Sequence, residues 1–243
     1  MLVCVYGDSL SLPRPGEDIA PEETYAELFA AELRRGSHPV TVSLYNRAQG
    51  SASMGELVEL WNRDTSYFAP RTDVLVIQSG LVDCAPRPLG RWMRGFVERT
   101  PKRVRYRIIR LLHEQRSRIL RARLGSRITS PRSFRAELRQ WLLRASPRCG
   151  MIYVLNIAPT TDAVERRSPG LIASISEYNK ILREEVTRHA GNVRLIDVHQ
   201  ALRAAVLKGE VPVISPLDGQ HITKAGHAIY ARLLLDAERA RAV

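Results

Sequence analysis

Five short apolar runs, at residues 2–6, 40–45, 73–78, 151–157 and 193–198, constrain this chain more than any other feature. Each is near-continuously apolar and rich in β-branched residues. A parallel strand buried on both faces reads this way, whereas a strand with one wet face would alternate. Helical patterns separate the runs. The stretch PEETYAELFAAELRR puts Tyr25, Leu28, Phe29 and Leu33 on one face, with Pro21 and two glutamates at its start. SMGELVELWNRD follows the second run, and Ile172, Ile175, Tyr178, Ile181, Leu182 and Val186 recur at helical spacing after the fourth. TKAGHAIYARLLLDAERAR closes the chain. Strand and helix in alternation predict a doubly wound α/β sandwich with right-handed crossovers and helices on both faces. The 243 residues suit one domain, 1–243, with a sizeable core. No apolar run approaches the roughly 20 residues that span a bilayer. Met1 leads directly into the first strand, with no basic region or small-residue cleavage site, so the expected location is cytoplasmic.

Charge breaks this regularity. The net charge is +12, yet residues 87–148 hold 19 Lys and Arg against three acids, Glu98, Glu114 and Glu137. The remainder is mildly acidic. The basic segment predicts helices near 88–99, 103–124 and 131–145, broken at Thr100-Pro101 and across 125–131. In the middle one, Val104, Ile108, Leu111, Leu112, Ile119 and Leu120 make an apolar stripe among arginines. We read 87–148 as a helical insertion or enlarged crossover within the single domain. Such a surplus needs an anionic counterpart. An acidic carrier protein or an anionic substrate ranks first and a membrane surface second. Nucleic acid ranks third, because aromatics are sparse there and no recognition module is present. Cys4, Cys84 and Cys149 lie at no metal-ligand spacing and read as buried hydrophobes. No metal or organic cofactor is expected.

In an open parallel sheet, sites lie beyond the carboxyl ends of the strands. GDSL follows the first run, Gly50 the second, SGLVDCAPRP the third and APTTD the fourth; DGQHITKAGH precedes the last helix. Acyl chemistry at a serine needs an imidazole to take its proton, an acid to orient the imidazole and donors for the oxyanion. Ser9, His221 and Asp218 are the right residue types. An Asp three residues before a His in a loop can bring its carboxylate to the second ring nitrogen. His227 reads as packing or capping the last helix.

These blocks, GDSL at 7–10, Gly50, GLVD at 80–83 and DGQHIT at 218–223, resemble the four blocks of the SGNH, or GDSL, hydrolase superfamily. The likeness runs from residue 2 to about residue 235. It implies a flavodoxin-like three-layer α/β/α sandwich whose five parallel strands run in the order 2-1-3-4-5. It implies Ser9 as nucleophile, His221 as base, Asp218 as its orienting acid, and the N–H groups of Ser9 and Gly50 as oxyanion donors. The third block departs from the pattern: GLVDCAPRP replaces the usual Gly-x-Asn-Asp, and Val82 has no donor where the family carries an asparagine. The N–H groups of Leu81 or Val82, or the side chains of Gln49, Gln78 or Arg87, are candidates to replace it. Substrate contacts are expected among Asp8, Arg14, Gln49, Gly80, Val82, Asp83 and Arg87. Asp83 also suits tying down its loop, and Arg14 and Arg87 suit an anionic group. The implied activity is a serine esterase or acyl hydrolase acting on the ester or thioester of a small molecule, a carrier or a glycan. Two alternatives stand beside it: an acyltransferase using the same triad, and a non-catalytic binding protein, which Val82 motivates.

Overall fold

The computed structural model describes residues 1–35, 41–67, 71–89, 97, 99–122, 126–189, 191–209 and 211–242. Five strands, β1 (Leu2–Gly7), β2 (Ser43–Asn46), β3 (Thr72–Gln78), β4 (Cys149–Leu155) and β5 (Val193–Ile196), form one parallel sheet. Their order is β2-β1-β3-β4-β5. The helices are α1 (Tyr25–Arg34), α2 (Met54–Tyr67), α3 (Leu81–Cys84), α4 (Lys102–Glu114), α5 (Arg116–Arg121), α6 (Pro131–Ala145), α7 (Asp162–Arg167), α8 (Leu171–Thr187), α9 (Val198–Lys208) and α10 (Lys224–Ala242). The fold is the α/β sandwich that the runs imply.

The period of two along each strand divides the core between two faces. Cys4, Tyr6, Leu75, Ile77, Ile152 and Val154 pack with residues of α2, α6 and α8. Val3, Val5, Val74, Val76, Met151 and Tyr153 pack with residues of α1, α9 and α10. Each fully buried Val, Leu or Ile contributes about 1.5–3 kcal/mol, so the two faces hold the sheet rigid under its loops.

The basic segment has two parts of different character. In α6, Phe134, Leu138, Trp141, Leu142 and Ala145 are completely buried, which makes it a crossover helix of the main core. The middle helix divides at Gln115 into α4 and α5. Its apolar stripe is not a core seam: Val104, Ile109 and Leu111 are about half exposed, and of the six stripe residues only Leu120 is buried. Most of the expected helix at 88–99 and the start of the expected strand at 40–45 lie outside the described residues. Among the described residues, no helix is long and apolar enough to cross a membrane, and no three His, Cys, Asp or Glu side chains cluster as metal ligands do.

Candidate active site

Ser9 stands where β1 ends. Asp8 caps the 3₁₀ turn Ser9–Ser11, its Oδ1 accepting from the Leu10 N–H at 2.9 Å. The Asp8 N–H donates to Gln78 Oε1 at 3.2 Å, so the turn is pinned to the end of the neighbouring strand β3. This places the half-buried Ser9 hydroxyl above the sheet edge. Ser215 N–H donates to the His221 carbonyl at 2.7 Å, and the Thr161 N–H donates to the Gly219 carbonyl at 3.3 Å. These bonds hold the 218–221 turn over the same edge.

Three side chains meet there. Ser9 Oγ lies 2.8 Å from His221 Nε2, and His221 Nδ1 lies 2.6 Å from Asp218 Oδ2. With Nδ1–H donating to the carboxylate, Nε2 carries the lone pair and accepts the serine proton. Asp218 Oδ1 accepts from the N–H groups of Gln220 and His221 at 2.9 and 3.0 Å. Partial burial would raise the Asp218 pKa, but these two N–H groups and the His221 ring outweigh it and hold the carboxyl down at about 2. The acid is therefore ionised whenever the imidazole needs it.

The expected substrate contacts divide by environment. Arg14 is engaged within the protein: Nη1 lies 3.1 Å from Asp218 Oδ2 and Nη2 lies 2.6 Å from Glu17. It thus bridges the carboxylates of Asp218 and Glu17. Asp83 is completely buried. Its oxygens accept from the Met54 N–H at 3.0 and 3.1 Å and from Thr129 Oγ1 at 2.5 Å, joining α2, α3 and the 129 loop. It holds the loop and does not face the cleft. Asp8 is also buried, and burial raises its carboxyl to about 6 despite the Leu10 N–H. Gly80 is buried with φ +117°. Arg87 is fixed by its backbone, which exchanges hydrogen bonds with Ser126 at 2.7 and 2.9 Å. Gln49 and Gly50 are exposed, and the Gln49 N–H donates to the Gly7 carbonyl at 2.9 Å.

Among the described residues, no acceptor takes the N–H of Ser9 or of Gly50. Val82 sits in the first turn of α3 with its side chain buried, and the N–H groups of Leu81 and Val82 likewise meet no protein acceptor. Gln78 Oε1 already accepts from Asp8 and from Ser11 Oγ. His227 packs, as its position suggested: its Nδ1 accepts from the Tyr25 N–H at 3.1 Å, and burial lowers its pKa to about 4. Cys84 is fully buried, and burial raises its thiol pKa far from any reactive range.

Two features escaped sequence reasoning. Arg167 reaches the 218–221 turn, its Nη2 donating to the Asp218 carbonyl at 2.9 Å, and Arg116 donates to Ser168, the residue after Arg167, at 2.8 Å. A cavity of about 1120 Å³ also opens between α8 and α9, near His199, Asn179 and Asp197. None of Ser9, Asp218 and His221 lines it. Its wall includes Pro212, Val213 and Ile214, at the start of the segment that carries Asp218 and His221.

Known proteins match this architecture rather than this sequence. No family model matches the chain, and no curated protein matches it in sequence. Among solved structures, a lipase/acylhydrolase from Enterococcus faecalis is similar at a TM-score of 0.66 and 15% identity, covering 99% of this chain and 96% of its own. A member of the lipolytic protein G-D-S-L family from Veillonella parvula has a TM-score of 0.61 at 14% identity, covering 97% of this chain and 96% of its own. Axe2, an acetylxylan esterase from Geobacillus stearothermophilus, has a TM-score of 0.64 at 18% identity, covering 97% of this chain and 92% of its own. Catalytic mutants of Axe2, one with a serine and one with a histidine changed to alanine, match as well. These likenesses establish the shared fold across nearly the whole chain.

Proposed function

We propose that the chain is a serine esterase or acyl hydrolase of the SGNH type. The observation that carries this reading is the continuous line Ser9 Oγ, His221 Nε2, His221 Nδ1, Asp218 Oδ2, with links of 2.8 and 2.6 Å. Lipolytic and esterase activities among proteins of the same fold support it.

Ser9 Oγ attacks the carbonyl carbon of an ester while its proton passes to His221 Nε2. Asp218, ionised at neutral pH, stabilises the imidazolium that forms. The oxyanion is met by the N–H groups of Ser9 and Gly50, and the first turn of α3 offers further N–H groups in place of the side-chain donor that Val82 lacks. Collapse of the tetrahedral species breaks the bond to the leaving alcohol, which takes the proton from His221. Water then enters, gives its proton to His221 and releases the acid from Ser9 through the same steps in reverse roles.

The test is hydrolysis of short-chain nitrophenyl esters together with labelling by a fluorophosphonate. Turnover and one adduct, located on Ser9, are expected. Ser9→Ala should abolish both, and Asp218→Asn should lower kcat by about 10³–10⁴. Absence of turnover together with an unlabelled Ser9 would reject the reading.

A further inference from the structure

Arg116 opens α5 and is half-buried. Its Nε donates to Ser168 Oγ at 2.8 Å and its Nη2 to the Pro86 carbonyl at 2.6 Å. Both acceptors are neutral. Arg167, exposed and next in sequence to Ser168, donates from Nη2 to the Asp218 carbonyl, again a neutral acceptor. Among the described residues, no carboxylate forms an ion pair with either arginine. The contrast within the same basic segment is sharp: Arg135 and Arg139 both close on Glu185.

Ser168 thus brings Arg116 to the residue next to Arg167, and among the described residues neither guanidinium is paired with a carboxylate. Burial and the nearby Arg167 both disfavour the charged form of Arg116. Arginine does not release its proton at physiological pH, so the repulsion is permanent and an anion would relieve it. Donors remain for one: Nη1 of Arg116, and Nε and Nη1 of Arg167, bond to no acceptor among the described residues. Guanidinium forks match the planar or trigonal oxygens of carboxylate and phosphate. The location is specific too. Pro86 belongs to the loop that follows α3, and Asp218 belongs to the triad, so the pair bridges the two loops that bound the Ser9 side of the sheet.

We propose that Arg116 and Arg167 form a subsite for a carboxylate or phosphate group carried by the substrate, beside the Ser9 centre. The proposal deepens the esterase reading and rests on it for the word substrate; the anion site itself does not. Three acetyl esters test it with one reacting bond and different tails: para-acetoxybenzoate, para-acetoxyphenyl phosphate and the neutral methyl ester of the first. Wild-type kcat/KM should favour at least one anionic ester over the neutral one by about tenfold at low salt, and the preference should shrink as salt rises. The tail that gains more identifies the group. Arg116→Gln leaves the bond from Arg167 to Asp218 in place, and Arg167→Gln removes it. Each should lower the ratio of anionic to neutral kcat/KM by about five- to tenfold, whatever it does to the neutral ester. A wild-type ratio near unity, or a loss shared equally by all three esters, overturns the proposal. If no ester is hydrolysed and Ser9 takes no phosphonate, the hydrolase reading falls separately. Calorimetric titration with inorganic phosphate and with benzoate then decides the subsite: binding weakened in Arg116→Gln upholds it, and binding absent or indifferent to both substitutions rejects it.

Discussion

Two glycines near the cleft carry opposite constraints. Gly80 has φ +117°, and a Cβ there would lie 2.7 Å from Ile157 Cδ1 and 3.3 Å from Phe134 Cζ. Both obstacles belong to the packed core. Gly80→Ala should therefore lower stability by about 2–4 kcal/mol in urea denaturation. At Gly50 nothing lies within 4 Å of a new Cβ and φ is not left-handed, so Gly50→Ala should stay within about 1 kcal/mol. The left-handed residue of that turn is Ser51, with φ 63°. Asp8 yields a second prediction. Burial raises its carboxyl from 3.8 to about 6. Between those values the folded protein binds more protons than the unfolded chain, so stability falls as pH rises through that window and stays lower above it. Asp8→Asn keeps the oxygen that caps Leu10 and removes the charge. Its gain should reach about 2 kcal/mol in urea melts at about pH 8 and vanish below about pH 4.

Among the elements, α6 and α8 are joined through Glu184, which Arg135 meets at 2.7 Å, and above all through Glu185. Glu185 is fully buried and meets Arg139 at 2.8 Å, Arg135 at 2.9 Å and Arg188 at 3.2 Å. The Arg139 guanidinium above all holds its pKa below the ordinary 4.5. A depressed carboxyl stabilises the fold above the unfolded value and loses that contribution as pH falls through the folded one. Glu185→Gln should lower stability by about 1–3 kcal/mol at neutral pH, and the gap to wild type should close in acid. The arginines here were visible in sequence only as surplus charge. Which of them an acid neutralises depends on contacts some 50 residues apart, such as Arg135 to Glu185, and no local pattern encodes that. The same limit explains α4. Its apolar positions have helical spacing, yet spacing states only that a face exists. Whether the body of the protein covers that face is a matter of tertiary placement, and Tyr106, Ile109 and Leu111 stay largely exposed.

For the molecule as a whole, the sheet was readable because burial on both faces leaves a continuous apolar signature in its inner strands β1, β3 and β4, whereas β2, at the edge, is largely exposed. The meeting of the candidate trio was readable because Ser9 and the Asp218–His221 pair lie in short, distinctive blocks at the ends of that pattern. The anion pair was not. Arg116 sits in a run of arginines and Arg167 beside another, Arg166, and neither differs from its neighbours until the fold carries Ser168 and Asp218 to them. Arg14 shows the same limit. A loop arginine near the cleft suits a substrate, and only the folded distance of 3.1 Å to Asp218 shows what it holds.

The hydrogen bond between Ser9 and His221 joins positions 212 residues apart. During synthesis Ser9 leaves the ribosome 212 residues before His221. While that stretch is being made, the hydroxyl has no His221 imidazole beside it. On the proposed mechanism, a chain cut short before residue 218 should be inert toward esters however well its early strands pair. The proposed reactivity of Ser9 is thus a timestamp, set only when the 218–221 turn closes over the sheet.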